Sequence, residues 1–236
     1  MKKTTFVLFA ALGLSMSAFS MDVLFEDNFT GRDPGAILSG TPVKKGIITR
    51  RYEGSKGGSF VYGKNFITTA VPNELNCNSS FRFKTADLPA KHKVLLLEVA
   101  ANPAGLKKTL QIGLSSKVEH STFGYKGDLF WSLSASGDDV VYQLRCTTDS
   151  GLVNIPGTWG KIKGGADKMY CLEYNLAEKT ITAKVDDLIV LENYPLASVS
   201  FAPELQSIRW VVIGADPDTN GSALIRSFRL SSSAQP

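Results

Sequence analysis

The sequence has few of the residues that build metal, redox or nucleic-acid sites. Its 236 residues include three cysteines and two histidines, and no CxxC pair occurs, so a zinc site is poorly supported. The 26 lysines and arginines are nearly balanced by 22 aspartates and glutamates. Because nucleic-acid binding needs a concentrated basic face, we expect no nucleic-acid partner.

Long hydrophobic runs are also missing, apart from one short run near the start. This run covers 5–14, two lysines precede it, and the small residues Ala18 and Ser20 follow it. A short basic segment, an apolar run and a small-residue cleavage site together predict a secretory signal peptide over 1–20. The run is shorter than the roughly 20 apolar residues that span a bilayer, which disfavours an uncleaved anchor.

The remainder, 21–236, has the length of one large domain rather than two small ones. Lys2 and Lys3 are the only charged residues in 1–20, so this remainder carries a net charge of about +2 rather than +4. No later run is apolar enough to cross a membrane. We therefore expect a secreted or periplasmic protein of bacterial type, without an integral membrane segment after processing.

The cysteine count is odd, although an oxidising compartment permits disulfides. Cys146 ends one predicted strand and Cys171 lies in another, so a cross-strand bridge between them is one alternative, with Cys77 free. Alternation places Cys146 with the apolar row of its strand and Cys171 opposite the apolar row of its own. Such a bridge therefore requires a bulge or a shifted register.

Helical periodicity is nearly absent, and short alternating segments take its place. In 109–114, for example, Leu110, Ile112 and Leu114 alternate with Thr109 and polar or small neighbours. Alternation of this kind predicts strands that bury one face. The clearest predicted strands cover 79–84, 94–100, 109–114, 129–134, 140–146, 169–174, 180–185 and 188–192.

Clusters of Ser, Gly, Asn, Asp and Pro separate these strands and predict hairpins, hence antiparallel pairing. They occur at 102–105, 136–139, 175–179 and 186–187. Many short strands at this spacing predict an all-β fold, a sandwich or a barrel.

Three segments resemble the concanavalin A-like lectin/glucanase superfamily, with LamG-like domains among its members. They are the opening L-F-E-D-N-F at 24–29, the hairpin at 170–190 and the closing segment at 213–230. Asp187 stands where the hairpin of such domains usually has glycine. The resemblance implies a jelly roll, a two-sheet antiparallel β-sandwich. It also implies that the last strand lies beside the first, and that a concave sheet face often holds carbohydrate.

Catalytic residues are harder to find than the fold. Retaining glycosidases of this superfamily carry paired acids as E-x-D-x-x-E or E-x-D-x-E. Neither spacing occurs here, and Glu98 stands alone in an apolar strand, where it faces a cleft or meets a cation. A polysaccharide lyase needs a Tyr or His base instead, for which Tyr125 and His120 are candidates.

Polar side chains with planar groups suggest binding rather than catalysis. Arg82, Gln111, Gln143 and Arg145 lie on the wet faces of their predicted strands, and amide and guanidinium groups make several directed hydrogen bonds. Trp159 follows a Pro-Gly pair in a loop, as Tyr125 follows a glycine, and such a ring can stack on a sugar. The alternative is an ordinary solvated face.

The sequence therefore predicts an exported carbohydrate-binding domain with a polysaccharide or oligosaccharide partner. A glycoside hydrolase or polysaccharide lyase on the same fold is an alternative, and a structural or protein-interaction sandwich is another. We expect no cofactor except, as a further alternative, structural calcium. Asp216, Asp218 and Asn220 match the first half of a calcium loop, but position twelve is Ser227. A polar turn explains them equally.

Overall fold

A computed structural model gives the fold of the greater part of the chain. The residues described are 21–38, 44–45, 52–54, 59–70, 76–82, 92–103, 109–117, 123–196, 207–213 and 224–234. Their regular structure is β-strand throughout. No helix within these stretches is long and apolar enough to cross a membrane.

Seventeen strands are present in the described stretches. In the first half they are β1 Asp22–Asp27, β2 Lys44–Lys45, β3 Tyr52–Gly54, β4 Ser59–Tyr62, β5 Ile67–Ala70, β6 Asn76–Arg82, β7 His92–Asn102 and β8 Thr109–Ser115. In the second half they are β9 Leu129–Ser136, β10 Asp139–Thr148, β11 Gly151–Asn154, β12 Gly160–Lys163, β13 Lys168–Asn175, β14 Thr180–Val185, β15 Leu188–Pro195, β16 Ser207–Ile213 and β17 Leu224–Ala234.

The strands form two antiparallel sheets, as the sequence predicts for a β-sandwich. The first, called sheet A, has the order β15-β14-β13-β7-β17-β1-β2, with β5 pairing β17 and β4 pairing β5. The second, called sheet B, has the order β11-β10-β9-β8-β16-β6-β3, with β12 also pairing β10. Sheet B is the one that carries the candidate site.

The hydrophobic core draws alternate residues from strands of both sheets. In β14, for example, Ile181, Ala183 and Val185 are buried while the residues between them are partly exposed. Trp131 of sheet B lies 5.9 Å from the Tyr142 ring and 6.1 Å from the Tyr170 ring of sheet A, centroid to centroid. The contact between Trp131 and Tyr170 joins the two sheets, and each fully buried large side chain contributes about 1.5–3 kcal/mol.

The closing strand lies beside the opening strand, as the resemblance implies. β17 runs antiparallel to β1, with Asp27 opposite Phe228, and it also pairs with β7. A register shift between Val23 and Phe25 lets Leu24 and Phe25 both be buried. A bulge of this kind re-aims successive side chains that would otherwise point to opposite faces.

The hairpin predictions are confirmed for three connections and wrong for one. β9–β10, β13–β14 and β14–β15 are antiparallel neighbours. The turn cluster at 102–105, however, follows β7 of sheet A and precedes β8 of sheet B. β7 pairs with β13 and β17, whereas β8 pairs with β9 and β16. Turn residues permit a reversal, but they do not determine whether the chain stays in one sheet.

The bridge between Cys146 and Cys171 is not formed. Both cysteines are free: Cys146 is fully buried in the core face of sheet B, and Cys171 is partly exposed in β13 of sheet A. Burial raises the pKa of the Cys146 thiol to about 11. Burial, followed by the charge of Glu98, raises the pKa of the Cys171 thiol to about 11. The side chain of Cys77 lies outside the described part.

Candidate functional site

Sheet B has a face that points away from the core, and four central residues of this face are polar. Gln111 of β8 and Gln143 of β10 both stand opposite Ser132 of β9, so the three form one row across the sheet. Arg145 lies two residues further along β10 and is opposite Phe130. We call Gln111, Ser132, Gln143 and Arg145 the polar face.

Of the five predicted ligand-binding residues, the structure brings Gln111, Gln143 and Arg145 onto this face, on β8 and β10, the two strands that flank β9. Arg82 is in β6 of the same sheet, where its backbone stands opposite Ser207. Its side chain lies outside the described part. Trp159, the fifth, precedes β12 at the edge of the same sheet.

Two polar atoms of this face have unused hydrogen-bonding capacity. The Oε1 atom of Gln111 and the Nε atom of Arg145 are buried and have no hydrogen-bond partner among the described residues. Leaving a buried polar atom unsatisfied costs about 1–3 kcal/mol. The hydrogen-bonding capacity of one acceptor and one charged donor is therefore not used by the described residues.

Gln143, in contrast, already uses its amide nitrogen. That Nε2 donates to the Thr158 hydroxyl at 2.7 Å and to the carbonyl of Ile155 at 3.2 Å. Thr158 is fully buried, and its hydroxyl also accepts the backbone N–H of Leu144 at 3.2 Å and donates to the Ile155 carbonyl at 2.6 Å. Gln143 is thus an anchor for the loop between β11 and β12.

This loop presents Trp159 to solvent. The Trp159 side chain is 62% exposed, whereas its neighbour Thr158 is 0% exposed. Gly157 has a φ of 76°, a conformation that favours glycine at this turn. Gly160 pairs with Tyr142, and continuing this register by one residue places Trp159 beside Gln143. An exposed indole is therefore held by a buried anchor at the edge of the polar face.

A second loop, 123–128, lies against sheet B and is organised by Asp128. The Asp128 carboxylate is fully buried and accepts four hydrogen bonds. The donors are the Ser115 hydroxyl at 2.7 Å and the backbone N–H groups of Ser116, Gly124 and Tyr125 at 3.1, 2.9 and 2.9 Å. Two of these charge-assisted hydrogen bonds fix the loop to the end of β8, and the other two hold the loop's own backbone.

The same loop covers a fully buried arginine. Phe123 stacks on Phe130 with ring centroids 4.4 Å apart, and both pack with Val211. The guanidinium carbon of Arg209 lies 5.3 Å from the centroid of the Phe123 ring. Burial lowers the pKa of Arg209, and the charges of Asp128 and Tyr125 oppose this shift. Tyr125, one of the predicted catalytic candidates, is about one third exposed here.

Gly113 makes room for this aromatic pair. A Cβ atom at this position would collide with the Leu129 carbonyl and with Phe130. The absence of a side chain therefore allows β9 to approach β8 closely at Phe130.

Glu98 is not on this face. It belongs to β7 of sheet A, opposite Arg229 in the register. The Arg229 guanidinium lies 3.0 Å from a Glu26 carboxylate oxygen and 3.8 Å from a Glu98 oxygen. These three residues, together with Met169, line a pocket of about 380 Å³. Glu98 therefore meets a cation, which is one of the two environments that its sequence context predicts.

The polar face does not pair two carboxylates among the side chains that are described. Asp128 is committed to its loop, and Asp139 at the far end of β10 lies 3.2 Å from Lys163. Glycosidases place two carboxyl groups about 5–5.5 or 6.5–9.5 Å apart across the scissile bond. No such pair exists within the described part of this face.

Several predicted residues cannot be placed. His120, Asp216, Asp218 and Asn220 lie outside the described residues, so the calcium hypothesis and the histidine base stay predictions. Within the described part, no three His, Cys, Asp or Glu side chains are grouped so that they could hold a metal ion.

Sequence reasoning missed three residues that shape the site: Thr158, Asp128 and Arg209. The first two are short polar side chains at loop ends, and only their long-range partners reveal their role. Arg209 could have been noticed in the sequence, because it is a charged residue within a largely apolar strand.

Solved structures with a similar fold are numerous, although their sequences are distant. The CBM2 module of the evolved Dit protein of Lactobacillus casei BL23 phage J-1 matches 92% of this chain and 98% of its own, with a TM-score of 0.56 and 10% identity. The Emp47p carbohydrate recognition domain matches 90% and 97%, at 0.55 and 9% identity. The laminarinase from Rhodothermus marinus matches 92% and 100%, at 0.54 and 10% identity.

Neither a protein-family model nor a curated protein matches this sequence. The structural matches extend over nearly the whole chain, and the opening and closing strands of this protein lie side by side in one sheet. This protein has the concanavalin A-like jelly-roll fold.

Proposed function

We propose that this protein is an exported carbohydrate-binding domain that recognises a glycan on the polar face of sheet B. The carrying observation is Trp159, an indole that is 62% exposed beside a fully buried anchor. An exposed ring on a fixed loop offers a flat apolar surface to the C–H face of a sugar at little cost in conformational entropy.

Hydrogen-bonding groups beside this ring support the proposal. The buried Oε1 of Gln111, which has no partner among the described residues, is an acceptor for a hydroxyl group of the glycan, and Arg145 donates from a planar group. Because β-strands carry both residues, the position of each donor and acceptor is fixed before the ligand arrives. The solved structures of similar fold include carbohydrate recognition domains and glucanases, which supports a carbohydrate ligand.

Binding is favoured over glycoside hydrolysis by the charges of the polar face. Its described side chains do not provide two free carboxylates at a catalytic distance. The export part of the proposal rests on the signal peptide predicted over 1–20. An exported protein meets glycans of the extracellular space or the periplasm, so these are the expected ligands.

Binding to a panel of soluble polysaccharides, measured by affinity electrophoresis and calorimetry, tests the proposal. We expect Trp159→Ala to weaken binding at least ten-fold, which corresponds to about 1.4 kcal/mol. Ile189→Ala is the matched control, because Ile189 is also half exposed but lies in β15 of sheet A. Thermal melts of both variants establish that they are folded.

A folded Trp159→Ala variant that binds as tightly as the parent contradicts this site. A parent that binds no polysaccharide contradicts the function. Release of shorter chains during the incubation would identify an enzyme instead.

A further inference from the structure

The charge of Arg145 on the polar face indicates which class of glycan the protein binds, and this inference rests on the proposed function. Arg145 has no ion pair among the described residues, although it is a charged side chain with an enclosed Nε. Two arginines of β17 in sheet A differ. Arg226 lies 2.8 Å from an Asp167 oxygen, and Arg229 lies 3.0 Å from a Glu26 oxygen.

A second arginine lies in the same row of sheet B. In the register, Arg209 of β16 is opposite Gly113 of β8. Gly113 is opposite Phe130 of β9, and Phe130 is in turn opposite Arg145 of β10. Three strand spacings separate the two arginines, or about 14 Å between their backbones. Arg209 is fully buried beneath Phe123, so it does not contact a ligand on this face directly.

Acidic groups that could neutralise this row are already engaged. The charge of Asp128 acts on Arg209 and offsets it, and the four hydrogen bonds that its carboxylate accepts all come from uncharged donors. Asp139 pairs with Lys163 at the far end of β10. The remaining described side chains of the row and its neighbour are Gln, Ser, Gly and Phe. Carboxylates therefore offset Arg209 and Lys163, whereas Arg145 has no ion-pair partner among the described side chains.

We propose that the ligand is an anionic polysaccharide, whose carboxylate or sulfate groups bind Arg145 while its hydroxyls bond Gln111. A guanidinium matches an oxyanion with two parallel hydrogen bonds and is more weakly hydrated than an ammonium group. Gln111 is 4% exposed and supplies the buried acceptor. Trp159 stacks on the same sugar chain from the edge of the face.

Binding of the purified protein to three classes of polymer tests this inference. These are a polyuronate, a sulfated galactan and a neutral β-glucan, each measured at low and at high sodium chloride. We expect the acidic polymers to bind at least ten-fold more tightly than the neutral one at low salt. We also expect their affinity to fall with added salt, because exposed charges are screened. The two acidic arms distinguish carboxylate from sulfate recognition.

Substitutions at Arg145 locate the effect. Arg145→Gln should weaken binding of the acidic polymer at least ten-fold, and Arg145→Lys should lose less, because the charge remains while the planar fork is lost. Arg226→Gln is the control, since Arg226 is an arginine of sheet A that is paired with Asp167. If Arg145→Gln does not fold, Arg145→Lys and the salt dependence decide the question.

The outcomes separate the two proposals. Equal or tighter binding of the neutral glucan overturns the anionic ligand and leaves carbohydrate binding in place. Binding of acidic polymer that Arg145→Gln leaves unchanged also overturns it. Binding of none of the three polymers, nor of any glycan in the wider panel, overturns carbohydrate binding itself.

Discussion

Thr158 offers a quantitative test of how the binding loop is built. β11 and β12 both pair with β10, and Leu144 of β10 lies between the two paired stretches. The Thr158 hydroxyl supplies the hydrogen-bond acceptor for the Leu144 N–H there. The backbone N–H of Leu144 donates to this hydroxyl at 3.2 Å, and the Gln143 amide donates to it at 2.7 Å. Thr158→Val keeps the shape of the side chain and removes the hydroxyl that accepts both hydrogen bonds.

The expected cost follows from what is left behind. Leu144 is fully buried, so its N–H would lose an acceptor away from water, at about 1–3 kcal/mol. Gln143 keeps its bond to the Ile155 carbonyl at 3.2 Å and loses the shorter one. We therefore expect a loss of about 2–3 kcal/mol in the free energy of unfolding. For a domain of this size that lowers Tm by roughly 4–12 °C.

Thermal and urea unfolding of Thr158→Val, with Thr158→Ser as control, provide the measurement. The serine keeps the hydroxyl and should cost less than about 1 kcal/mol, since it loses one methyl group. Glycan affinity should fall in the valine variant, because Trp159 loses its anchor. A valine variant that melts within 1 °C of the parent, or that melts with the serine variant, would refute this account of the loop.

Further predictions concern the thiols and the N-terminus. Denatured, unreduced protein should show Cys146 and Cys171 as free thiols in an alkylation and mass analysis, and a mixed or internal disulfide at either residue would contradict the structure. In the native state both thiols should alkylate slowly at neutral pH, because their raised pKa values keep them protonated. The free energy of unfolding should fall as the pH rises above the ordinary thiol pKa of about 8.5, because the thiols of the unfolded chain ionise there while the native ones stay protonated. N-terminal sequencing of exported material should begin at Met21, whereas an intact Met1 in a membrane fraction would refute the signal peptide.

The sequence predicts local strand structure well, because alternation is a property of neighbouring residues. The strand predicted over 180–185 agrees with β14 at both ends. The strand predicted over 109–114 lacks only Ser115 of β8. Sheet membership is different, since the turn at 102–105 gives no signal that the chain changes sheet there.

Partners that are distant in sequence could not be predicted for the same reason. The sequence predicts that Glu98 faces a cleft or meets a cation. The strand order brings it to a cation, because β17, which carries Arg229, lies beside β7. Gln143 shows the limit more sharply. Alternation predicts its face correctly, but its amide bonds Thr158, fifteen residues away, so that it anchors a loop before it contacts any ligand.

The structure of the protein with a bound acidic oligosaccharide tests the central claim most directly. The account predicts a sugar ring stacked on the Trp159 indole, with the chain crossing sheet B towards Arg145 and an oxyanion on its guanidinium. An oligosaccharide bound instead on the outer face of sheet A, in the pocket lined by Glu26, Glu98 and Arg229, would contradict it.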